Sequence, residues 1–161
     1  MRTARIKETT DACYHICSRV IDRRMIFDKV EKEDFRLKMR ATEGFSGNRV
    51  LTHSEMGNHI HIELYVPQRQ EVSDKELIRR LRYLYKPGRV KAVERELSEL
   101  REAGDEKGAE KLKATYTYRM YDLSEFVKTL KQRYTQSYNA RHNRKGTLWE
   151  GQFTSTVIEP V

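Results

Sequence analysis

Met56-Gly-Asn-His59-Ile-His61-Ile-Glu63-Leu-Tyr65-Val-Pro67 is the stretch on which the fold turns. From His59 onward its side chains separate into two sets. Ile60, Ile62, Leu64 and Val66 are all apolar; His59, His61, Glu63 and Tyr65 are all polar or amphipathic. Successive side chains of a strand point to opposite faces, so this alternation marks a strand packed on one side and open on the other. Gly57-Asn58 is a turn pair between two strand-like runs, so 48–56 and 59–66 read as a hairpin closed by Pro67.

Outward from the hairpin, residues 11–20 alternate in the same way. Tyr14, Ile16 and Val20 fall on one face and Cys13, His15, Cys17 and Arg19 on the other. Residues 28–43 read as a helix, with Asp28 at its start, Val30, Phe35, Leu37 and Met39 among charges, and Gly44 as its stop. Beyond Pro67 the composition turns helical. Ser73-Asp-Lys-Glu76 is a capping box before Leu77, Leu81 and Leu84, and Pro87-Gly88 breaks that helix. Val90, Val93, Leu97 and Leu100 recur at helical spacing, Gly104-Asp105 and Gly108 interrupt, and a shorter run starts at Ala109. Residues 68–121 thus read as a helical hairpin of mixed charge, inserted into a single domain spanning 1–161. Asp122-Leu-Ser-Glu125 is a second capping box. It opens a helix with Leu123, Phe126, Leu130, Tyr134 and Tyr138 on one stripe. Asn139–Gly146 reads as a basic loop and Thr147–Glu159 as a final strand. This order predicts an α+β domain: a ferredoxin-like antiparallel sheet of about four strands with helices on one face.

The charge balance points to a partner. The 161 residues hold 32 Lys and Arg against 24 Asp and Glu, a net charge of +8, which suits a polyanion. The sequence lacks the roughly 20 consecutive apolar residues of a membrane span. Residues 1–10 are too polar for the core of a signal peptide, so the cytoplasm is the expected compartment. Cys13 and Cys17 form no Cys-x-x-Cys pair and are expected to be buried, reduced thiols.

Two groups of residues carry candidate chemistry. His59 and His61 share the open face of one strand, so their imidazoles can hold one divalent cation side by side. The spacing alone is a weak signal, because two ordinary surface histidines produce it as readily. Magnesium or manganese, with waters and a substrate phosphate completing the shell, would suit phosphodiester chemistry. Glu63 on the same row is a candidate third ligand, and His15 and His53 lie on neighbouring strands. The second group is Lys128, Lys131, Arg133, Arg141, Arg144 and Lys145, with no Asp or Glu among them from Phe126 to Trp149. Tyr134, Tyr138, Asn139 and His142 are interleaved. Cations with aromatics suit phosphate contacts plus stacking on unpaired bases, although a solvated face has the same composition. An RNA-binding ferredoxin-like domain is disfavoured, since its Lys/Arg-Gly-Phe-Gly-Phe pattern is missing.

These stretches also resemble a known family. MGNHIHIELYVP is similar to the Met-Ser-Asn-His-hydrophobic-His signature of HUH transposases, and YHICSRV to their first strand. DLSEFVKTLKQRYTQSYNARHNRKGTLWEGQF resembles the long helix, basic loop and Trp-containing strand of REP-associated tyrosine transposases, in the insertion-sequence-200-like, single-tyrosine group. The resemblance runs from about Thr10 to Glu159. Gly57 departs from the usual Ser, and Glu63 from the usual apolar residue. The resemblance implies a DNA partner, single-stranded or hairpin, and metal-assisted phosphodiester transfer. A tyrosine would attack phosphorus, leaving a 5′-phosphotyrosine link and a free 3′-hydroxyl. In the family that tyrosine lies on a helix beyond the Trp-containing strand, here past Val161. This chain is therefore expected to be a fragment of a longer transposase, which binds DNA and metal but does not cut by itself. The alternatives are a non-catalytic DNA-binding module derived from a transposase, or Tyr134 or Tyr138 as nucleophile, against which stands their place on an apolar stripe. A homodimer is left open.

Overall fold

The computed structural model describes residues 11–158. The signal-peptide reading of residues 1–10 and the Glu159 end of the final strand lie outside them. The chain runs β1 (Ala12–Arg19), a 3-10 turn (Ile21–Arg23), α1 (Lys29–Ser46), β2 (Arg49–Met56), β3 (His59–Val66), α2 (Asp74–Leu84), α3 (Pro87–Glu102), α4 (Glu106–Thr117), α5 (Leu123–Arg141) and β4 (Thr154–Ile158). The four strands form one antiparallel sheet in the order β2-β3-β1-β4. The fold is α+β, as the sequence predicts.

The sheet is covered on one face, by α1 and α5. Ile60, Ile62 and Leu64 of β3 and Tyr14 and Ile16 of β1 are buried there against Phe35 and Met39 of α1 and Phe126, Leu130 and Tyr134 of α5. Fully burying one such side chain contributes roughly 1.5–3 kcal/mol. A one-residue slip of β3 would move all its isoleucines to water, so the register is firmly held. A second apolar cluster joins Phe45 at the end of α1 to Leu77, Leu81, Val90, Val93, Leu97, Ala109 and Met120. It fastens α2, α3 and α4 to α1.

The helix ends follow the capping rules. Asp28, Ser73 and Asp122 each accept a hydrogen bond from the backbone N–H three residues on, satisfying a donor that the first turn leaves free. Pro87 is the first residue of α3, where its missing N–H costs nothing. Residues 68–121, expected as a helical hairpin, hold three helices, α2, α3 and α4.

Four boundaries differ from the sequence reading. α1 passes through Gly44 and stops at Gly47, whose φ of +77° is the left-handed turn that ends helices. Gly44 is small for another reason: a Cβ there would lie 2.6 Å from the Tyr83 ring. α4 starts at Glu106 rather than Ala109, because Asp105 caps it by accepting from the Gly108 N–H. α5 runs to Arg141, so the basic loop begins three residues later than Asn139. Finally, 147–153 is not strand. Leu148 and Trp149 are both buried, which adjacent residues of a strand cannot be on one core face. That segment crosses the end of β1 through the Val20–Trp149 bridge, and β4 begins at Thr154.

Candidate metal and nucleic-acid site

The register places the histidines. Residues paired across strands share a face, and His61 stands opposite Cys17 and Ser54, His59 opposite Arg19 and Met56, and Glu63 opposite His15. These groups therefore share the face away from α1 and α5. His53 does not. It pairs with the buried Ile62, so it lies on the helix side, where its Nδ1 is 2.8 Å from Glu55. Cys13 and Cys17 are half-buried free thiols rather than buried ones, because they too lie on the open face.

The His59 and His61 rings stand 5.0 Å apart, centroid to centroid, at 83°. His59 Nδ1 is 2.8 Å from the Asn58 side-chain oxygen. That oxygen accepts, so in the neutral tautomer the proton sits on Nδ1 and Nε2 keeps its lone pair. His61 Nδ1 is 3.1 Å from His15 Nε2. When His61 donates in this bond, its Nε2 is also free to bind a metal. Burial and the neighbouring charges of His59, His15 and Arg19 lower the His61 pKa from its ordinary value, which favours the neutral, ligating ring. The donor set fits a divalent cation held by two imidazoles, each oriented by an outer hydrogen bond. Among the described residues no group of three or more His, Cys, Asp or Glu is placed to hold an ion together. Glu63 thus does not complete a three-ligand site.

The six cations of the second group do not act alike. Arg141 is bound to Glu31, and lies 2.9 Å from Asp34. Arg144 donates to Asn139, Gly146 and Thr147, tying the loop to the end of α5. Arg133 is half-buried, with an Nε that has no hydrogen-bond partner among the described residues. Lys131 lies over the Trp149 ring, 5.2 Å from its centroid. Lys128 and Lys145 are exposed. Lys128, Lys131, Trp149 and Phe153 line a groove of about 340 Å³ between α5 and the 147–153 segment.

The 147–153 segment and the start of β3 reach the same end of the sheet, with the groove on the α5 side and the histidines on the opposite face. Arg19 pairs with His59 on one side, and its carbonyl accepts the Glu150 N–H on the other. Residue 150 is thus about two strand spacings, some 10 Å, from His59.

The tyrosines of α5 are on the wrong face for the histidines. Tyr134 is fully buried, stacks on Phe27 and donates to Glu31 at 2.9 Å. Burial and that carboxylate push its phenol far above the usual range. Tyr138 is buried and stacked on His142, 4.1 Å away. Tyr65 does share the open face, but it lies four residues past His61, about 13 Å along the strand, and donates to Asp11.

Sequence reasoning passed over two features. Glu31, in the first turn of α1 and part of neither motif, is a buried carboxylate gathering Tyr134, Arg141 and His142; nothing in its local sequence marks it. The run Arg79-Arg-Leu-Arg-Tyr-Leu-Tyr-Lys-Pro-Gly-Arg-Val-Lys91 holds six cations and no carboxylate. That signal was legible, but it is diluted when 68–121 is taken as one segment.

No protein-family model and no curated protein matches the chain. Among solved structures it is similar to a REP-associated tyrosine transposase bound to a REP hairpin, with a TM-score of 0.59 and 9% sequence identity. The match covers 100% of this chain and 64% of that one. At this identity the likeness is one of fold, a distant relationship without a family assignment. No helix among the described residues is long and apolar enough to cross a membrane.

Proposed function

We propose that this chain is a DNA-binding domain of the HUH single-tyrosine transposase type, and that His59 and His61 hold one divalent cation, manganese or magnesium, against the phosphate of a single-stranded or hairpin substrate. The observation that carries the reading is the placement of the two histidines. They stand side by side on the sheet face turned away from α1 and α5, with Arg19 paired beside His59. His15 acts behind them as a positioning residue, accepting from His61 Nδ1 and so directing Nε2 at the metal. The metal, when bound, polarises a phosphoryl oxygen. Arg19, beside His59, adds positive charge for the same phosphate.

The reading assigns no nucleophile to α5. Tyr134 and Tyr138 are held in the core on the far side of the sheet, and this placement favours a chain that binds DNA without cutting it through either of them.

Manganese titration followed by electron paramagnetic resonance tests the metal site. One ion is expected per protein, with His59→Ala and His61→Ala each weakening it at least tenfold. His53→Ala should leave it unchanged, because that ring is on the other face. Equal binding by all four proteins would sink the assignment.

A further inference from the structure

We infer that the elbow between α2 and α3 is a second DNA-contact surface, which grips the phosphate backbone of a duplex segment through Arg82, Lys86, Arg89 and Lys91. The inference takes its ligand class from the DNA reading above, but it uses none of the residues of the histidine face.

Charge accounting points to it. The stretches 79–91 and 126–149 each hold six cations and no carboxylate, while the whole chain has a net charge of +8. Together they exceed that total, so the remainder is net acidic. The two stretches differ in what the fold does with their charge. Along α5 and its loop, Arg141 is neutralised by Glu31 and Asp34, and Arg144 is spent on the loop. At the elbow, Arg79 and Arg80 share the single carboxylate of Glu76. Arg82, Lys86 and Lys91 are exposed and form no ion pair among the described residues. Arg89, also exposed, meets the Tyr116 hydroxyl at 3.4 Å. The elbow therefore presents more uncompensated positive charge than the loop.

The shape of the charge favours duplex backbone over unpaired bases. Single-strand sites rely on free aromatic faces for stacking. Tyr85, the aromatic in the shallow elbow groove, has its ring engaged: Arg89 and Arg119 lie over it at 5.9 and 5.7 Å, and Tyr116 meets it edge-on. Arg82, Lys91 and the exposed Pro87 line the same groove, with Glu94 as the carboxylate in its wall. Tyr83, exposed in the same stretch, has Arg79 over its ring at 5.9 Å and packs against Gly44, so the long cations dominate a surface that contacts phosphates and carries no base information.

The test is binding of a blunt DNA duplex by the full chain, without metal, over a range of salt. Compared are wild type, Arg82→Ala/Lys86→Ala/Lys91→Ala, and Lys128→Ala/Lys145→Ala. For duplex DNA each lost contact removes roughly 0.9 from the log–log salt slope, so the elbow triple is expected to flatten it by about 2.7 and weaken binding at least tenfold for all sequences alike. The Lys128/Lys145 pair should flatten the duplex salt slope less than the elbow triple does. Thermal melting checks that the triple is folded, and unchanged melting is expected because the three side chains have no internal ion pairs to lose. Equal slopes for wild type and the triple, no duplex binding by wild type, or a preference for duplex RNA over DNA would each overturn the proposal. None of these outcomes touches the manganese titration, so failure here is distinct from failure of the histidine site.

Discussion

Replacing Trp149 with alanine is expected to destabilise the protein by about 3–5 kcal/mol, the usual cost of emptying an aromatic site in a core. Trp149 is buried and lies within 6.4 Å, centroid to centroid, of Phe27, Phe35 and Tyr134. Its indole N–H donates to Thr135 at 3.1 Å, and Lys131 covers its face. Alanine leaves a cavity that α1 and α5 cannot close without moving the sheet. It also strands the Thr135 hydroxyl and releases the 147–153 crossing that leads into β4. A domain stability is typically about 5–15 kcal/mol, so this one change removes a large share. Urea denaturation of Trp149→Ala and Trp149→Phe checks it. The phenylalanine variant should recover part of the loss, and an alanine variant within 1 kcal/mol of wild type would show that the aromatic cluster is not what holds the helices to the sheet.

Glu31→Ala is expected to cost about 3 kcal/mol. Removing one partner of a buried ion pair leaves the others uncompensated, and Glu31 is 2% exposed. Its loss removes the acceptor of the Tyr134 hydroxyl and leaves Arg141 with Asp34 as its carboxylate partner. The effect also has a pH signature. Burial raises the Glu31 pKa, but the bonds from Arg141, His142 and Tyr134 outweigh it, and the folded value lies below 4.5. A carboxylate depressed in the folded state contributes stability that is fully present above its unfolded pKa and is lost as pH falls through the folded one. Wild type should therefore lose stability below about pH 4.5 more steeply than Glu31→Gln. Asp74 and Glu76, both near pKa 2 through their arginine partners, add a background that both proteins share. Parallel curves for the two proteins would mean that Glu31 is not charged in the folded core.

How far the sequence could be read depended on the range of each interaction. The faces of β1 and β3 and the caps at Asp28, Ser73 and Asp122 are local patterns, and they stand as read. Gly44 and Gly108 were misleading as stops because their missing side chains serve neighbours: the Tyr83 ring in one case, the Asp105 carboxylate in the other. The adjacent burial of Leu148 and Trp149 was a legible warning against a strand over 147–153. The neutralisation of Arg141 was not legible, since its carboxylates lie on α1, more than a hundred residues away. His53 and His15 were equal candidates by sequence. Only the bulged register between Val50 and Thr52 puts His53 on the helix side and leaves His15 beside His61.

The central claim is that one cation on the histidine face touches DNA phosphate, and phosphorus NMR of a bound hairpin oligonucleotide with manganese measures it directly. Manganese broadens only phosphorus nuclei close to it. In the wild type a small set of phosphate resonances should broaden strongly at stoichiometric manganese. In His59→Ala/His61→Ala that broadening should vanish while the hairpin stays bound, because the cationic surfaces are intact. Identical broadening in both proteins, or none in either with the hairpin bound, would contradict the account and place any metal away from His59 and His61.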